Sequence, residues 1–180
     1  DTIQHAAHFI FLNRTCFNGL YRQNKKGEFN VPIGRYKMPT ICDEDTLKDA
    51  NSALKNATLT CCDFEEMENY IDIDTFVYID PPYRPLPGTP SFTKYSRADF
   101  NEKSQERLAN WYRKVNDKFN IEDGPFLMLS NSNPKNTKSE DDFFESLYQG
   151  FVIDEVYAKR SINSKASKRG EITELLIRNY

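Results

Sequence analysis

The stretch from Phe76 to Leu86, FVYIDPPYRPL, sets four strand-forming residues directly before one carboxylate, two prolines and an aromatic ring. A residue ahead of proline is pushed out of the helical region, and proline has no N–H to donate. Asp80-Pro81-Pro82 is therefore a stiff, extended corner whose carbonyls are left as acceptors. An ionised Asp80 carboxylate and the Pro81 carbonyl can both accept hydrogen bonds from one amino group. The Tyr83 ring can stack on the flat ring that bears that group. Such a corner suits an aromatic amine.

The exocyclic amine of adenine is a poor nucleophile, because its lone pair is delocalised into the ring. Two acceptors on its two hydrogens favour a more tetrahedral nitrogen and aim the lone pair at an electrophile. This is positioning combined with stabilisation of the positive charge that develops, and it does not require Asp80 to be a strong base. A base held in a duplex must be flipped out of the stack to reach the corner, and an aromatic ring offsets part of the lost stacking. The tetrapeptide by itself also reads as a kinked loop in an unrelated enzyme; the apolar strand before it favours the functional reading.

Outward from this corner, helical and strand patterns alternate. The opening segment places Ile3, Ala7, Ile10 and Phe11 on one helical face, with His5 and His8 on the same helix. Residues 44–56 read as a helix, Thr58–Cys62 as a short strand, and a weak helical segment precedes the strand Thr75–Ile79. Asp99–Phe119 is the longest helical pattern, with Leu108, Trp111, Tyr112 and Val115 spaced as core. GPFLMLSNSN is a second buried strand, 141–149 a further helix, and Phe151–Tyr157 and Ile172–Ile177 are closing strands. Strands alternating with helices predict an α/β sheet of parallel character, with ligands bound beyond the carboxyl ends of the strands. Asp80–Tyr83 and Ser130–Asn133 both fall at such ends.

At 180 residues, with 38% hydrophobic, 13% aromatic and 28% charged residues, the chain is unlike a disordered, collagen-like or membrane-spanning sequence. A cytoplasmic protein is the expectation, and Cys16, Cys42, Cys61 and Cys62 lack zinc or disulfide spacing, so they read as reduced small hydrophobes. No metal site is expected, and nothing assigns an oligomeric state. The net charge of −3 conceals two basic segments. Residues 14–37 carry Arg14, Arg22, Lys25, Lys26, Arg35 and Lys37 against Glu28, a balance of +5, and 157–170 carry five bases and no acid. Two such patches on an acidic body point to a localised polyanion contact, with solvated loops as the plainer alternative for either one. Between Leu20-Tyr21-Arg22 and Glu28-Phe29-Asn30-Val31, the turn Asn24-Lys25-Lys26-Gly27 predicts an exposed β-hairpin over about 20–36.

Taken together, NRTCFNGLYRQNKKGEFNVPIGRYK (13–37), DF (63–64), YIDPPYRPL, FTKY (92–95), LSNSN (129–133) and RGEITELLIRNY (169–180) resemble the Dam-like class of site-specific DNA adenine methyltransferases. The resemblance implies the carboxyl-terminal part of a Rossmann-like, S-adenosylmethionine-dependent methyltransferase fold with an inserted DNA-recognition hairpin. Residues 1–56 would form the recognition subdomain and 57–180 the catalytic domain. By the same resemblance Asp80, Pro81, Pro82 and Tyr83 form the catalytic corner, and Asp63, Phe64 and Asp80 line the S-adenosylmethionine site. Arg14, Asn18, Leu20, Arg22, Asn24, Asn30, Pro32, Arg35 and Lys37 match positions used on double-stranded DNA, and Phe17 matches an aromatic that wedges into the duplex. Arginine reads guanine edges, asparagine reads adenine, and lysine neutralises phosphate; a turn-forming role stands beside the DNA role for each asparagine. Lys165 and Lys168, in the second basic segment, are expected against the DNA backbone. GATC is the expected site.

One departure from the pattern matters. The Gly-rich loop that opens the family's cofactor site is missing, and none of the seven glycines forms a Gly-x-Gly sequence. The chain then reads as the carboxyl-terminal portion of a longer enzyme. A DNA-binding module without the chemistry is the alternative reading, and an RNA methyltransferase a more distant one. A calorimetric titration of this chain with S-adenosylmethionine is expected to give weak binding or none; tight, stoichiometric binding would overturn that expectation.

Overall fold

The computed structural model describes residues 2–24, 26–84, 100–119, 124–159 and 171–180. They fall into two compact units, one up to Cys61 and one from Cys62 onward.

The first unit opens with helix α1, Thr2–Thr15, and a single 3-10 turn, Phe17–Gly19. Asn18 adopts φ 56°, a left-handed conformation in which asparagine is one of the few tolerated side chains. The turn is fastened to residues 32–34: the Phe17 N–H donates to the Pro32 carbonyl at 2.8 Å and the Gly34 N–H to the Thr15 carbonyl at 2.7 Å. Gly34 sits so close that a Cβ there would lie 2.4 Å from the Tyr36 ring and 2.8 Å from the Cys16 carbonyl oxygen. Only glycine fits this crossing. Cys16, beneath it, is buried, and its thiol donates to the Leu20 carbonyl. Helix α2, Glu44–Leu54, starts where the Asp43 side chain accepts the Thr46 N–H, with Glu44 and Asp45 in its positive first turn.

Two expectations for this unit change. Over 20–36 no strand forms among the described residues; the pairing is limited to isolated bridges, Gln23 with Phe29 and Cys16 with Ile33. Asn24 N–H to Glu28 and Asn30 N–H to Arg22 close a turn, and Pro32, lacking an N–H, cannot extend it into a ladder. Thr58–Cys62 is likewise not a strand, since among the described residues it joins no ladder of the sheet, and strand formation depends on that context. Cys42, Cys61 and Cys62 are exposed, so Cys16 alone of the four behaves as a small core residue.

The second unit carries one four-stranded sheet in the order β1-β2-β4-β3. Its strands are β1 Phe76–Ile79, β2 Phe126–Ser132, β3 Val152–Lys159 and β4 Glu171–Arg178. The predicted parallel character holds only for β1 with β2; β4 lies antiparallel between β2 and β3, so the sheet is mixed. Before β1, the expected weak helical segment is a 3-10 helix, Phe64–Tyr70, capped by Asp63. Helix α3, Glu102–Lys118, begins at Asn101, whose side chain accepts the Ser104 N–H, and helix α4 is the short Phe143–Leu147.

The α3 stripe Leu108, Trp111, Tyr112 and Val115 buries against Leu127, Leu129, Leu175, Ile177, Phe144 and Tyr148, as its spacing predicts. Tyr112 anchors helix to sheet, donating its hydroxyl to the Leu127 carbonyl at 3.0 Å while Phe151 and Tyr148 meet it edge to face. Along β2 the side chains alternate: Leu127, Leu129 and Asn131 are buried on one face, while Met128 and the also buried Ser130 lie on the other. Leu129 is fully enclosed at the centre of this core. Leu129→Ala is expected to lower unfolding stability in urea by about 2–5 kcal/mol, against a near-neutral change for the exposed Leu54→Ala.

Candidate active site

β1 and β2 pair in parallel with Ile79 opposite Leu129, so the next residues, Asp80 and Ser130, stand side by side at the carboxyl ends of the two strands. Their side chains meet: the Ser130 hydroxyl donates to Asp80 Oδ1 at 3.2 Å. It also accepts from the Tyr78 hydroxyl at 3.1 Å. Ser130 is only 3% exposed, while Asp80 and Tyr78 are open to solvent. One buried hydroxyl thus bonds two groups of the corner, including the carboxylate. Burial pushes the Tyr83 phenol above its ordinary value; the Ser130 hydroxyl opposes this, and the negative potential of Glu174 and Asp80 adds to it. Tyr83 is therefore a neutral phenol at physiological pH, able to stack and to hydrogen-bond.

Beyond Tyr83 the chain is fastened by Arg84. Its guanidinium forms hydrogen bonds of 2.9 and 3.0 Å with both Asp141 oxygens and reaches Glu102 at 2.7 Å, with the Phe143 ring beneath it at 4.3 Å. Ser130 and Arg84 were not singled out by the corner motif. The signal available in sequence was weak, a serine at a strand end and an arginine between two prolines.

Asp63 and Phe64, expected at the cofactor site, stand at the start of the 3-10 helix. Asp63 Oδ1 accepts the Glu65 N–H, and Oδ2 accepts from Arg107 at 2.6 Å. These bonds hold its carboxyl below the ordinary range. Each carboxylate oxygen keeps a further lone pair for a hydroxyl donor. The Phe64 ring has Trp111 at its edge and the Arg107 guanidinium over one face, at 4.4 Å. An exposed carboxylate beside a half-buried aromatic fits part of a nucleoside site. Among the described residues no group of His, Cys, Asp or Glu side chains could hold a metal ion, and no helix is long and apolar enough to cross a membrane.

In the first unit Arg14, Phe17, Asn18, Arg22, Asn30, Pro32, Arg35 and Lys37 are exposed, and Leu20 and Asn24 are partly buried. The pairing of residues 15–17 with 32–34 brings Phe17 and Pro32 together. Arg22 spends part of its donor fork on Asn30, through Nε to Oδ1 at 2.8 Å and a terminal nitrogen to the backbone carbonyl at 2.9 Å. Asn24 uses most of its amide for the turn: Oδ1 accepts the Lys26 and Glu28 N–H groups, and Nδ2 donates one hydrogen to the Glu28 carboxylate. Lys165 and Lys168 lie outside the described residues.

The second unit is a mixed α/β unit with a donor-poor corner at its parallel strand ends, beside an aromatic ring, an arrangement able to accept a planar amine. Comparison with known proteins narrows this. The chain belongs to the D12 class N6 adenine-specific DNA methyltransferase family, whose family model matches residues 1–162. It is 54% identical over 181 residues to the type II methyltransferase M.MjaIII of Methanocaldococcus jannaschii, covering 100% of this chain and 59% of that protein. It is 38% identical to the type II methyltransferase M1.LlaDCHI of Lactococcus lactis, over 99% of this chain and 59% of that protein. With a DNA adenine methylase of Haemophilus influenzae the identity is 34%, over 93% of this chain and 54% of that protein. The chain thus spans less than two thirds of the length of these relatives.

The Arg84–Asp141 pair has a pH signature. Burial raises the Asp141 carboxyl, but the Arg84 hydrogen bonds, the Phe143 N–H and the Arg84 charge together outweigh it and hold it below the ordinary aspartate range. With a depressed folded pKa, the stabilisation is complete above the unfolded-state value and is lost as pH falls through the folded one. A carboxyl-carbon NMR titration is expected to place the Asp141 midpoint below that of an ordinary aspartate, and Arg84→Ala to move it upward. An unmoved midpoint in the variant would contradict the assignment.

Proposed function

We propose that this chain forms the catalytic and DNA-recognition part of a site-specific DNA adenine methyltransferase with a Rossmann-like fold. The observation that carries this reading is the Asp80 carboxylate, fixed by the Ser130 hydroxyl beside the donor-free Pro81-Pro82 segment and the Tyr83 ring. In a flipped adenine, one amino hydrogen donates to Asp80 and the other to the Pro81 carbonyl, while Tyr83 covers the base. The amino lone pair is thereby directed outward, and the positive charge that grows on nitrogen lies against a carboxylate. Ser130 keeps Asp80 from rotating away, so the acceptors are arranged before the base arrives. S-adenosylmethionine, when bound, supplies the electrophilic methyl group; Asp63, Phe64 and Asp80 are the residues of this chain that would hold it.

Double-stranded DNA is the proposed partner of the exposed, basic segment 13–37. Phe17, on a turn fastened to Pro32, is suited to wedge between base pairs, and Arg14, Arg35 and Lys37 carry charge toward phosphates and base edges. Asn18, Leu20, Arg22, Asn30 and Pro32 complete the proposed surface. Asn24, with its amide oxygen spent on the turn, acts by shaping that surface. Lys165 and Lys168 are proposed as backbone contacts on the charge of their segment. GATC is proposed as the recognition site, on the resemblance of segment 13–37.

Methyl transfer from labelled S-adenosylmethionine to duplexes with GATC or a scrambled site tests this reading, with this chain and a version extended at its amino terminus. Label is expected only on GATC duplexes and chiefly with the extended version, and Asp80→Ala should abolish it. Site-selective DNA binding without transfer in either version would favour a binding module instead.

A further inference from the structure

The corner that suits an amine creates a difficulty for its own backbone. Pro81 and Pro82 provide no N–H, so their carbonyls and the N–H groups that follow must find partners outside the local chain. The Pro82 carbonyl accepts from Gln105 Nε2 at 3.0 Å. Gln105 Oε1 accepts from Asn131 Nδ2 at 3.2 Å, and Asn131 Oδ1 accepts the backbone N–H of Arg84 at 3.1 Å. These bonds close a ring that runs from Pro82 through two side-chain amides to Arg84, and the residue enclosed by it is Tyr83. The Arg84 carbonyl accepts the Ser132 hydroxyl at 2.8 Å, so both polar groups of its backbone are tied to β2.

Gln105 and Asn131 are 1% and 0% exposed and lie at the rim of an otherwise apolar core, on α3 and β2 respectively. A buried amide is unfavourable unless its groups are bonded, and an apolar side chain would fill either position without that demand. What the amides add is a fixed distance between the α3–β2 core and the chain on both sides of Tyr83.

We propose that Gln105 and Asn131 are positioning residues for Tyr83, acting through the Pro82 and Arg84 backbone to hold the aromatic ring and the Asp80 carboxylate in one arrangement for the adenine. This rests on the adenine-binding reading of the corner. The predicted consequence is a loss in the chemical step with little change in DNA affinity, since neither amide belongs to the DNA-contact segment. Displacing reacting groups by a fraction of an ångström is enough for such a loss.

The test uses 3-fluorotyrosine at position 83, read by fluorine NMR, in wild-type protein and in Gln105→Glu, which keeps the shape and loses the donor to Pro82. Gln105→Met, of similar length and without either bond, is read in the same way if the carboxylate prevents folding. The Tyr83 line is expected to shift and broaden in a variant that still unfolds cooperatively, with a melting temperature lowered by the unbonded Pro82 carbonyl. In the methyl-transfer assay with the extended version, kcat should fall about ten-fold or more with the DNA KM within about two-fold. An unchanged Tyr83 line in a folded variant would overturn the clamp, whatever the activity. A changed line with kcat unaltered would overturn its catalytic importance. A changed line together with a wild-type extended version that methylates no duplex would leave the clamp standing and refute the adenine reading.

Discussion

The in-register parallel pairing of β1 with β2 is the constraint from which the site follows. With Ile79 opposite Leu129, Asp80 and Ser130 become neighbours on one face, and Asn131, one residue on, turns to the other face and meets Gln105 of α3. A slip of one residue would exchange these faces, burying Ser130 in the apolar core and setting Leu129 beside the carboxylate. The register is secured by Leu127 and Leu129, which the α3 stripe covers, and by the Tyr112 hydroxyl on the Leu127 carbonyl. The hydrophobic core and the chemical corner are thus two faces of one strand pair.

The corner's chemistry and its support are linked by the same shortage of donors. Two consecutive prolines keep N–H groups away from the amine site, which leaves acceptors to face the substrate. They also deprive the segment of local backbone bonds, so the Gln105 and Asn131 amides, the Ser130 and Ser132 hydroxyls and the Arg84 ion pairs take over that role. Fixing these groups in the folded state means that little reorganisation remains when a base arrives, which is how preorganised sites lower a barrier.

In the first unit, the basic segment divides its labour. Asn24 and the Arg22–Asn30 pair hold the turn, Gly34 permits the close crossing over Cys16, and the exposed Arg14, Phe17, Arg35 and Lys37 remain directed to solvent. A turn held by side-chain amides in place of a strand ladder can present a short, curved surface without an exposed β edge that would pair with other chains.

Much of this was legible in the residues themselves. The FVYIDPPY pattern located strand, corner and acceptors, and the helical spacing of Leu108, Trp111, Tyr112 and Val115 located the core, because proline stereochemistry and hydrophobic periodicity are local properties. The order of strands was not local. That β4 would enter antiparallel between β2 and β3, that Thr58–Cys62 would form no strand, and that pairing over 20–36 would stop at isolated bridges depended on which segments came together. Gln105 carries no signal in sequence, and Ser130 and Asn131 only that of a polar strand end, since a polar residue in an apolar stretch reads the same whether it faces water or a buried acceptor. Only the packing of α3 on β2, and of β2 beside β1, brought donors and acceptors 23 to 52 residues apart within bonding distance and gave those side chains a role.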